Sequence, residues 1–572
     1  MTNSTDPSIY SHFHEGWEAL TGAGGDFAVT TTVVRGVPIR TYAAAPPSLR
    51  EVWLSTLQFP ERDYLVYESE RWTYAQAHQE VAALAGWLTE QGIGPGDRVA
   101  LAMRNYPEWL LAYWATLCVG AAAVGMNAWW VGPELVYGLN DAKPKALFAD
   151  KERLERLAAH RGEFDPMPVV AVRCDTEVFP DAIAYDSLKA QPGTLPDLQI
   201  DPDSDACIFY TSGTTGRPKG AQLTHRGCVA NLMNMGFNAA LNTFVAQRAG
   251  ETIPDPESLP QPAALVTTPL FHVTANNCVA HPITANGGKL ICTYRWDAGE
   301  ALKIIEREKI TAMTGVPVMA RELLAHPDFP STDTSTLQTL GGGGAQLQPD
   351  LVAKIDESVA ARPNTGYGMT ETCGIITAIS GDFFVDRPES AGPAMPVFEA
   401  ITVNADGEAL PTGELGELWV RGAPVIKGYL NREDATAESI TDGWLHTGDI
   451  GRIDEQGFIY IVDRLKDMVL RGGENVYCAE VESTIFEHES VAECTVFGVP
   501  DDRLGEEVGA AVVVKPGASI TADALRAHCA EHIAKHKIPR YIWLRDEALP
   551  RNASGKFLKR ELRESLQPGD AA

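Results

Sequence analysis

Between Thr73 and Gln91 apolar residues recur at helical spacing, with Ala77, Val81, Leu84, Ala85 and Leu88 on one face. Gly92-Ile93-Gly94-Pro95-Gly96-Asp97 breaks that pattern, and Val99-Ala100-Leu101 begins a strand. Helix, Gly/Pro turn and short apolar strand alternate in this way to about residue 380, which predicts α/β layers with largely parallel sheets. After about residue 395 the texture changes to short β-like runs, Glu417–Arg421 and Gly457–Val462. A domain boundary is expected near Asp463–Asp467. Beyond it the pattern predicts an amphipathic helix from Ala479, strands at Ala492–Gly498 and Val508–Val514, and a helix over Ala522–Lys535, a compact α+β domain. Residues 1–50 are read as an N-terminal extension, and the Pro-rich acidic stretch Glu251–Pro262 as an exposed loop.

One segment tests the pattern. Trp109 to Pro133 carries no charged side chain, long enough to raise a membrane span. It is interrupted by Gly120, Gly125 and Asn127, is flanked by Glu108 and Glu134, and has no Lys or Arg close to either end to set topology. It is read instead as a buried helix from Pro107 to about Gly120, followed by a buried strand. The chain has 47 Lys plus Arg against 76 Asp plus Glu, a net charge of −29. That field disfavours nucleic acid and anionic membrane as partners, and it requires local cations wherever a phosphate is bound. The ten cysteines are scattered without a C-x-x-C pair, and the N-terminus lacks an apolar signal region. Both fit a cytoplasmic protein with reduced thiols.

The most informative stretch follows the short apolar run Ala206–Tyr210, itself a predicted buried strand. Thr211, Ser212, Gly213, Thr214, Thr215 and Gly216 lead into Lys219 and Gly220. Glycines let backbone N–H groups approach an anion, hydroxyls can donate to phosphate oxygens or help hold a metal, and Lys219 adds a point charge. A helix-like segment after His225 is expected to begin near the same anion. The spacing is not that of a P-loop nucleotidase.

Four further stretches carry chemistry. In Thr365-Gly366-Tyr367-Gly368-Met369-Thr370-Glu371, a tyrosine between glycines can offer its ring to a planar base, and the hydroxyl and carboxylate suit Mg²⁺ bound to phosphates. In Trp444-Leu445-His446-Thr447-Gly448-Asp449, an acid after a tight turn can accept from two ribose hydroxyls. Asp463-Arg464-Leu465-Lys466-Asp467 runs into Arg471-Gly472-Gly473. Pro550-Arg551-Asn552-Ala553-Ser554-Gly555-Lys556 places a lysine on a Gly/Ser loop. His532 and His536 have the i,i+4 spacing of a zinc helix, but no Glu follows His532, so they are read as the polar face of a helix.

In order and wording these stretches resemble the adenylate-forming superfamily of acyl- and aryl-CoA ligases, luciferases and peptide-synthetase adenylation domains, over roughly residues 60–565. The resemblance implies a large N-terminal domain over 51–463, a hinge at 464–466 with Lys466 as pivot, and a small mobile C-terminal domain over 467–572. It implies ATP, Mg²⁺ and coenzyme A as the small molecules used. Thr211 to Lys219 would hold the β- and γ-phosphates, with Thr211 and Glu371 near Mg²⁺. Gly343, Gly344 and Ala345 would line the adenine pocket and Tyr367 would stack on the base. Thr370 would contact the α-phosphate, and Asp449 and Arg464 would hold the ribose. Lys556 would bridge the α-phosphate and the substrate carboxylate. Gly472 and Gly473 would border the pantetheine tunnel, and His272 would stand between that tunnel and the acyl pocket.

The expected reaction is therefore ATP-dependent ligation of a hydrophobic carboxylic acid to coenzyme A through an acyl-adenylate. Two other classes stay open: an adenylating enzyme with another acceptor, such as an amide synthetase or luciferase-like enzyme, and a non-catalytic nucleotide-binding relative. The small Thr274, two residues after His272, and the four glycines 341–344 are expected to leave apolar space for a bulky acid. A homodimer is left open.

Overall fold

The computed structural model describes residues 8–211, 217–255, 258–343, 347, 349–358, 361–472, 474–552 and 555–572. Ser212, Gly213, Thr214, Thr215, Gly216, Gly344, Ala345 and Gly473 lie outside the described residues. The chain divides into two compact units. The first is Met1–Pro388 with Gly392–Glu399 and Arg421–Leu445; the second is Glu389–Ala391, Ala400–Val420 and His446–Ala572.

Among the described residues, the first unit contains two α/β sheets. One is seven-stranded, in the spatial order Lys219–Thr224, Asp205–Thr211, Ala122–Gly125, Arg98–Ala102, Ala146–Asp150, Val169–Val172, Ile183–Ala184. All its pairings are parallel except the first. The other is eight-stranded, with six parallel strands in the middle and an antiparallel strand at each edge, Ile379–Ser380 and Glu70–Thr73. The α/β class read from the alternation is what the chain adopts.

Local causes are visible in the helices. Tyr74–Glu90 starts at Thr73, whose hydroxyl accepts from Gln76 N while the Gln76 side chain accepts from Thr73 N. That reciprocal cap satisfies two otherwise orphaned donors. Pro107–Cys118 begins on a proline whose missing N–H costs nothing in the first turn, and every residue in it is buried. At 12 residues it spans about 18 Å, well short of a bilayer core of about 30 Å. No helix among the described residues is long and apolar enough to cross a membrane.

Two readings need correction, the start of the helix after His225 and the helical face of His532 and His536. The helix His225–Arg248 does not begin beside the phosphate loop, because the strand Lys219–Thr224 intervenes. That strand pairs antiparallel with Asp205–Thr211, Lys219 opposite Thr211 and Thr224 opposite Asp205. The loop and the helix N-terminus therefore sit at opposite ends of a hairpin. The N-terminal extension is ordered into a helix, Ser8–Thr21, and a hairpin, Val29–Val34 with Val37–Tyr42. Phe13 packs against Phe383 at 5.2 Å and Trp17 against Phe237 at 4.8 Å. The helix from Ala522 stops at His532, and His536 lies on the separate turn Lys535–Lys537 rather than on the helix face with it.

The second unit holds a sheet of Glu474–Val476, Val469–Arg471, Gly505–Val514, Val491–Asp501 and Tyr541–Arg545. It is packed by the helices Cys478–Phe486 and Ala522–His532 through Val481, Ile485, Leu525, Val496 and Val512.

Candidate active site

In the first unit, site residues gather at the C-terminal ends of parallel strands, where open α/β sheets present ligands. Thr211 ends the strand Asp205–Thr211, Gly343 follows Thr339–Gly342, and Tyr367 follows Arg362–Thr365. The edges of adjacent strands are tied by Gly343 N donating to Gly315 O at 2.9 Å and Thr365 Oγ1 to Gly342 O at 3.3 Å.

Thr370 and Glu371 sit at the tip of a very short hairpin, Gly368–Met369 against Gly374–Ile375. Thr372 Oγ1 closes it, accepting from Met369 N at 3.1 Å and donating to Gly374 O at 2.9 Å. The Glu371 carboxylate is almost wholly buried. Tyr429 O–H donates to its Oε1 at 2.8 Å, and Ile426 N donates to the Glu371 carbonyl at 3.0 Å. The Lys219 ammonium lies over the Tyr429 ring, 5.2 Å from its centroid. One tyrosine thus bridges the lysine that ends the phosphate loop and the carboxylate expected at the metal. Burial and the Glu371 charge push the Tyr429 hydroxyl far above its ordinary range, so it stays a donor.

Tyr429 was not singled out in the sequence. It is 58 residues from Glu371, and the glycine before it, in Gly428-Tyr429, was the only local signal.

Among the described residues, no group of three or more His, Cys, Asp or Glu could cage a metal. A buried carboxylate with a threonine hydroxyl is a hard oxygen set of the kind Mg²⁺ uses when phosphates and water supply its other ligands. The residues present therefore fit Mg²⁺ carried in with a nucleotide, and do not fit a structural zinc.

His272 stands just before the helical turn Val273–Ala275, with Asn276 N donating to its carbonyl at 3.0 Å. The glycine run differs from expectation. A Cβ on Gly341 would overlap Asn364 Oδ1, and one on Gly342 would overlap Leu347 Cδ1. Those two positions are filled by neighbours and leave no substrate space. A Cβ on Gly343 would instead meet Thr274 Cγ2 at 3.7 Å and Thr314 Cγ2 at 4.0 Å, ordinary van der Waals distances.

In the second unit, Asp449 and Arg464 are register partners on neighbouring strands, joined at 3.2 Å. Asp449 is buried, whereas the Arg464 side chain is half exposed. The turn before Asp449 is fixed by Gly448 at φ 71°, by Gly448 N donating to Glu417 Oε1 at 3.0 Å, and by Thr447 Oγ1 donating to Leu418 O at 2.7 Å. Lys556 sits in a tight loop. Asn552 Oδ1 accepts from Lys556 N at 3.0 Å, Asn552 N donates to Lys556 O at 2.8 Å, and Gly555 takes φ 77°. Arg551 braces the loop through Gly555 O at 2.9 Å and Glu493 at 3.0 Å. Gly472 also has positive φ, 61°, and its N–H donates to Leu504 O at 2.8 Å. Lys466 lies within a closed turn in which Asp467 N and Met468 N both donate to Arg464 O at 3.0 Å.

This fold and this ordered set of loops define a nucleotide-dependent adenylating protein. Residues 53–430 match the family model of the AMP-binding enzymes, and residues 480–556 match that of the AMP-binding enzyme C-terminal domain. The chain belongs to the AMP-binding, adenylate-forming family. It is 37% identical to a feruloyl-CoA synthase of an Amycolatopsis species over 493 residues, covering 86% of this chain and 93% of that one. It is 33% identical to a 2-succinylbenzoate–CoA ligase of Bacillus cereus, covering 90% and 98%. The solved o-succinylbenzoate CoA synthetase of Bacillus subtilis in complex with its acyl-adenylate superposes with a TM-score of 0.74 at 29% identity, covering 92% and 99%.

Proposed function

We propose that this chain is an AMP-forming acid–CoA ligase that activates a hydrophobic carboxylic acid. The observation that supports the reading is that Tyr429 links the Lys219 ammonium, 5.2 Å from its ring centroid, to the buried Glu371 carboxylate, which accepts from its hydroxyl at 2.8 Å. A carboxylate is a poor electrophile. Its oxygen attacks the α-phosphorus of ATP, the bond to pyrophosphate breaks, and an acyl-adenylate forms. The sulfur of coenzyme A then attacks the acyl carbon, AMP leaves with the C–O electron pair, and the thiol proton passes to solvent.

The chain supplies no nucleophile of its own; it positions the reactants and stabilises charge that builds on the transferred phosphoryl. Lys219 and the loop Thr211–Gly216 bind the outer phosphates. Thr211 and Glu371 would hold Mg²⁺, which when bound neutralises phosphate charge. Gly343, with Gly344 and Ala345, frames the adenine and Tyr367 stacks on it. Thr370 donates to the α-phosphate, and Asp449 and Arg464 hold the ribose. Lys556 bridges carboxylate and α-phosphate. The hinge 464–466, pivoting at Lys466, exchanges Lys556 for the Gly472–Gly473 loop between the two half-reactions. His272 separates the acid from the pantetheine. The ten unpaired cysteines favour a cytoplasmic, reducing location.

The small residues Gly343 and Thr274, in contact with each other, and relatives named feruloyl-CoA synthase and 2-succinylbenzoate–CoA ligase support an apolar acid larger than acetate. The test is a panel of aliphatic and aromatic acids scored for ATP–pyrophosphate exchange, then for AMP release with and without coenzyme A. Exchange with bulky apolar acids and CoA-dependent turnover are expected. No exchange with any acid would point to a non-catalytic relative, and CoA-independent turnover with an amine to another acceptor.

A further inference from the structure

The segment after Glu371 is held in an unusual conformation by two buried asparagines that the reaction as described does not use. Cys373 has φ 54°, in the left-handed region, and Gly374 has φ 141°. A non-glycine residue persists there only where the surroundings over-determine it. They do so with amides. Asn231, on the long helix His225–Arg248, accepts from Ile375 N at 2.9 Å through Oδ1. Its Nδ2 donates to Asn277 O at 3.1 Å. Asn277 Nδ2 donates to Cys373 O at 2.9 Å, while its Oδ1 accepts from Asn276 Nδ2 at 2.9 Å. Asn231, Asn276 and Asn277 are all fully buried. Any Cβ at position 374 would overlap Asn231, so the clamp and the glycine require each other.

The element that delivers Asn277 matters as much as the bond. Asn276–Ala280 forms a π turn, continuous with the helical turn that follows His272. An i→i+5 turn is a rare, strained insertion that recurs where a helix must present side chains for function. Here it brings the residue after Asn276 beneath the Thr370–Glu371 hairpin while its N-terminal end carries His272. Two consecutive turns, Val273–Ala275 and Asn276–Ala280, thus connect His272 to the residue that holds the Cys373 carbonyl.

We propose that Asn277, backed by Asn231, is a positioning residue for adenylation: it fixes the Thr370–Glu371 tip against the element that bears His272. The proposal rests on the reading that the tip faces ATP and His272 faces the acid. Misplacing reacting groups by about 1 Å costs on the order of 100-fold in rate. Loosening the tip should therefore slow attack on the α-phosphorus far more than it weakens nucleotide binding. Thioester formation from a ready-made acyl-adenylate should be nearly indifferent.

The test uses the full chain with Asn277→Asp, which keeps the shape but turns the Cys373-facing donor into an acceptor, and with Asn277→Ala. Pyrophosphate exchange should fall about 10- to 100-fold in kcat with KM for ATP within about 3-fold, and transfer from supplied acyl-adenylate to coenzyme A should stay within about 3-fold. Equal losses in both half-reactions, or wild-type exchange in both variants, would overturn the proposal. Hydrogen exchange on the unmodified protein gives a readout independent of activity and of variant folding. The Ile375 amide should be protected like the central strand Ala263–Val266, and exchange as fast as in the exposed loop before it would sink the clamp. If the unmodified protein catalyses no pyrophosphate exchange, it is the adenylating reading that fails.

Discussion

At the scale of single residues, the sequence offers candidates for the chemistry wherever they fall within one short stretch. Thr370-Glu371 and Lys556 stand in tight loops and Asp449 and Arg464 on paired strands, each within a short stretch that marks it as a candidate. The residues that hold them were not legible, because their contacts are long-range: Tyr429 reaches Glu371 across 58 positions, and Asn277 reaches Cys373 across 96. Nothing in the local sequence of a buried asparagine distinguishes it from a turn residue. The same limit explains the glycine run: only tertiary structure shows Asn364 and Leu347 occupying the volume that Gly341 and Gly342 leave. Two outcomes follow. Tyr429→Phe removes a hydrogen bond to a charged group, worth about 1.5–3 kcal/mol when made. Roughly 10-fold or greater loss of pyrophosphate exchange is expected, with a raised Mg²⁺ requirement, and metal-titrated nucleotide binding checks it. Unchanged Mg²⁺ dependence would leave Tyr429 as packing alone. Lys556→Ala should cost adenylation about 100-fold or more while transfer from supplied acyl-adenylate persists, since the cation acts where charge builds on the phosphoryl. Separate half-reaction assays decide it, and equal loss in both would remove Lys556 from the role.

At the scale of elements, helices with clear caps and apolar faces emerged where the periodicity put them, as in Tyr74–Glu90 and Pro107–Cys118. The strand Lys219–Thr224 was missed because Lys-Gly-Ala-Gln-Leu-Thr offers too few apolar or β-branched residues to show alternation. Its pairing is imposed by the neighbouring strand. The hinge region carries two predictions. Lys466→Pro fixes φ near −65° and deletes an N–H. It should spare adenylation and suppress thioester formation, measured by exchange and by single-turnover transfer; wild-type rates in both would place the pivot elsewhere.

Just before the hinge, Asp463 is buried and accepts from Arg464 N at 2.7 Å and from Cys478 N at the start of the helix Cys478–Phe486. Burial pushes its carboxyl up to about 6; Lys559 and the two N–H donors oppose that, and Glu482 adds to it. Lys559 is itself paired with Glu482 at 2.9 Å, and Asp467 and the Cys478 thiol face the same cluster. A carboxyl with a raised pKa holds its proton longer in the folded state, so its contribution to stability falls as pH rises from about 4 through 6. The full span is at most about 3 kcal/mol. Asp463→Asn should remove that slope relative to the unmodified protein in urea melts taken across this range. Parallel pH profiles for the two proteins would show that Asp463 titrates normally.

At the scale of the whole molecule, the reading is that one active site performs two displacements. With a net charge of −29 the chain needs local cations wherever a phosphate binds, and Lys219, Arg464 and Lys556 are the ones proposed for that role. Steering by bulk charge is therefore absent, and ATP and coenzyme A should bind with little of the salt dependence seen in polyanion-binding proteins. The acid should be apolar and larger than acetate, because each methylene it buries in an apolar pocket contributes about 0.8 kcal/mol. The highest kcat/KM for acetate or propionate in the acid panel would refute that. The central claim, activation by attack of a carboxylate oxygen on the α-phosphorus, has a direct isotopic test. A turned-over acid labelled with ¹⁸O in its carboxylate is incubated with ATP, Mg²⁺ and coenzyme A, and the nucleotide and phosphate products are weighed by mass spectrometry. The account predicts one ¹⁸O in AMP and none in pyrophosphate. Label in phosphate or pyrophosphate, or unlabelled AMP formed alongside the thioester, would contradict it.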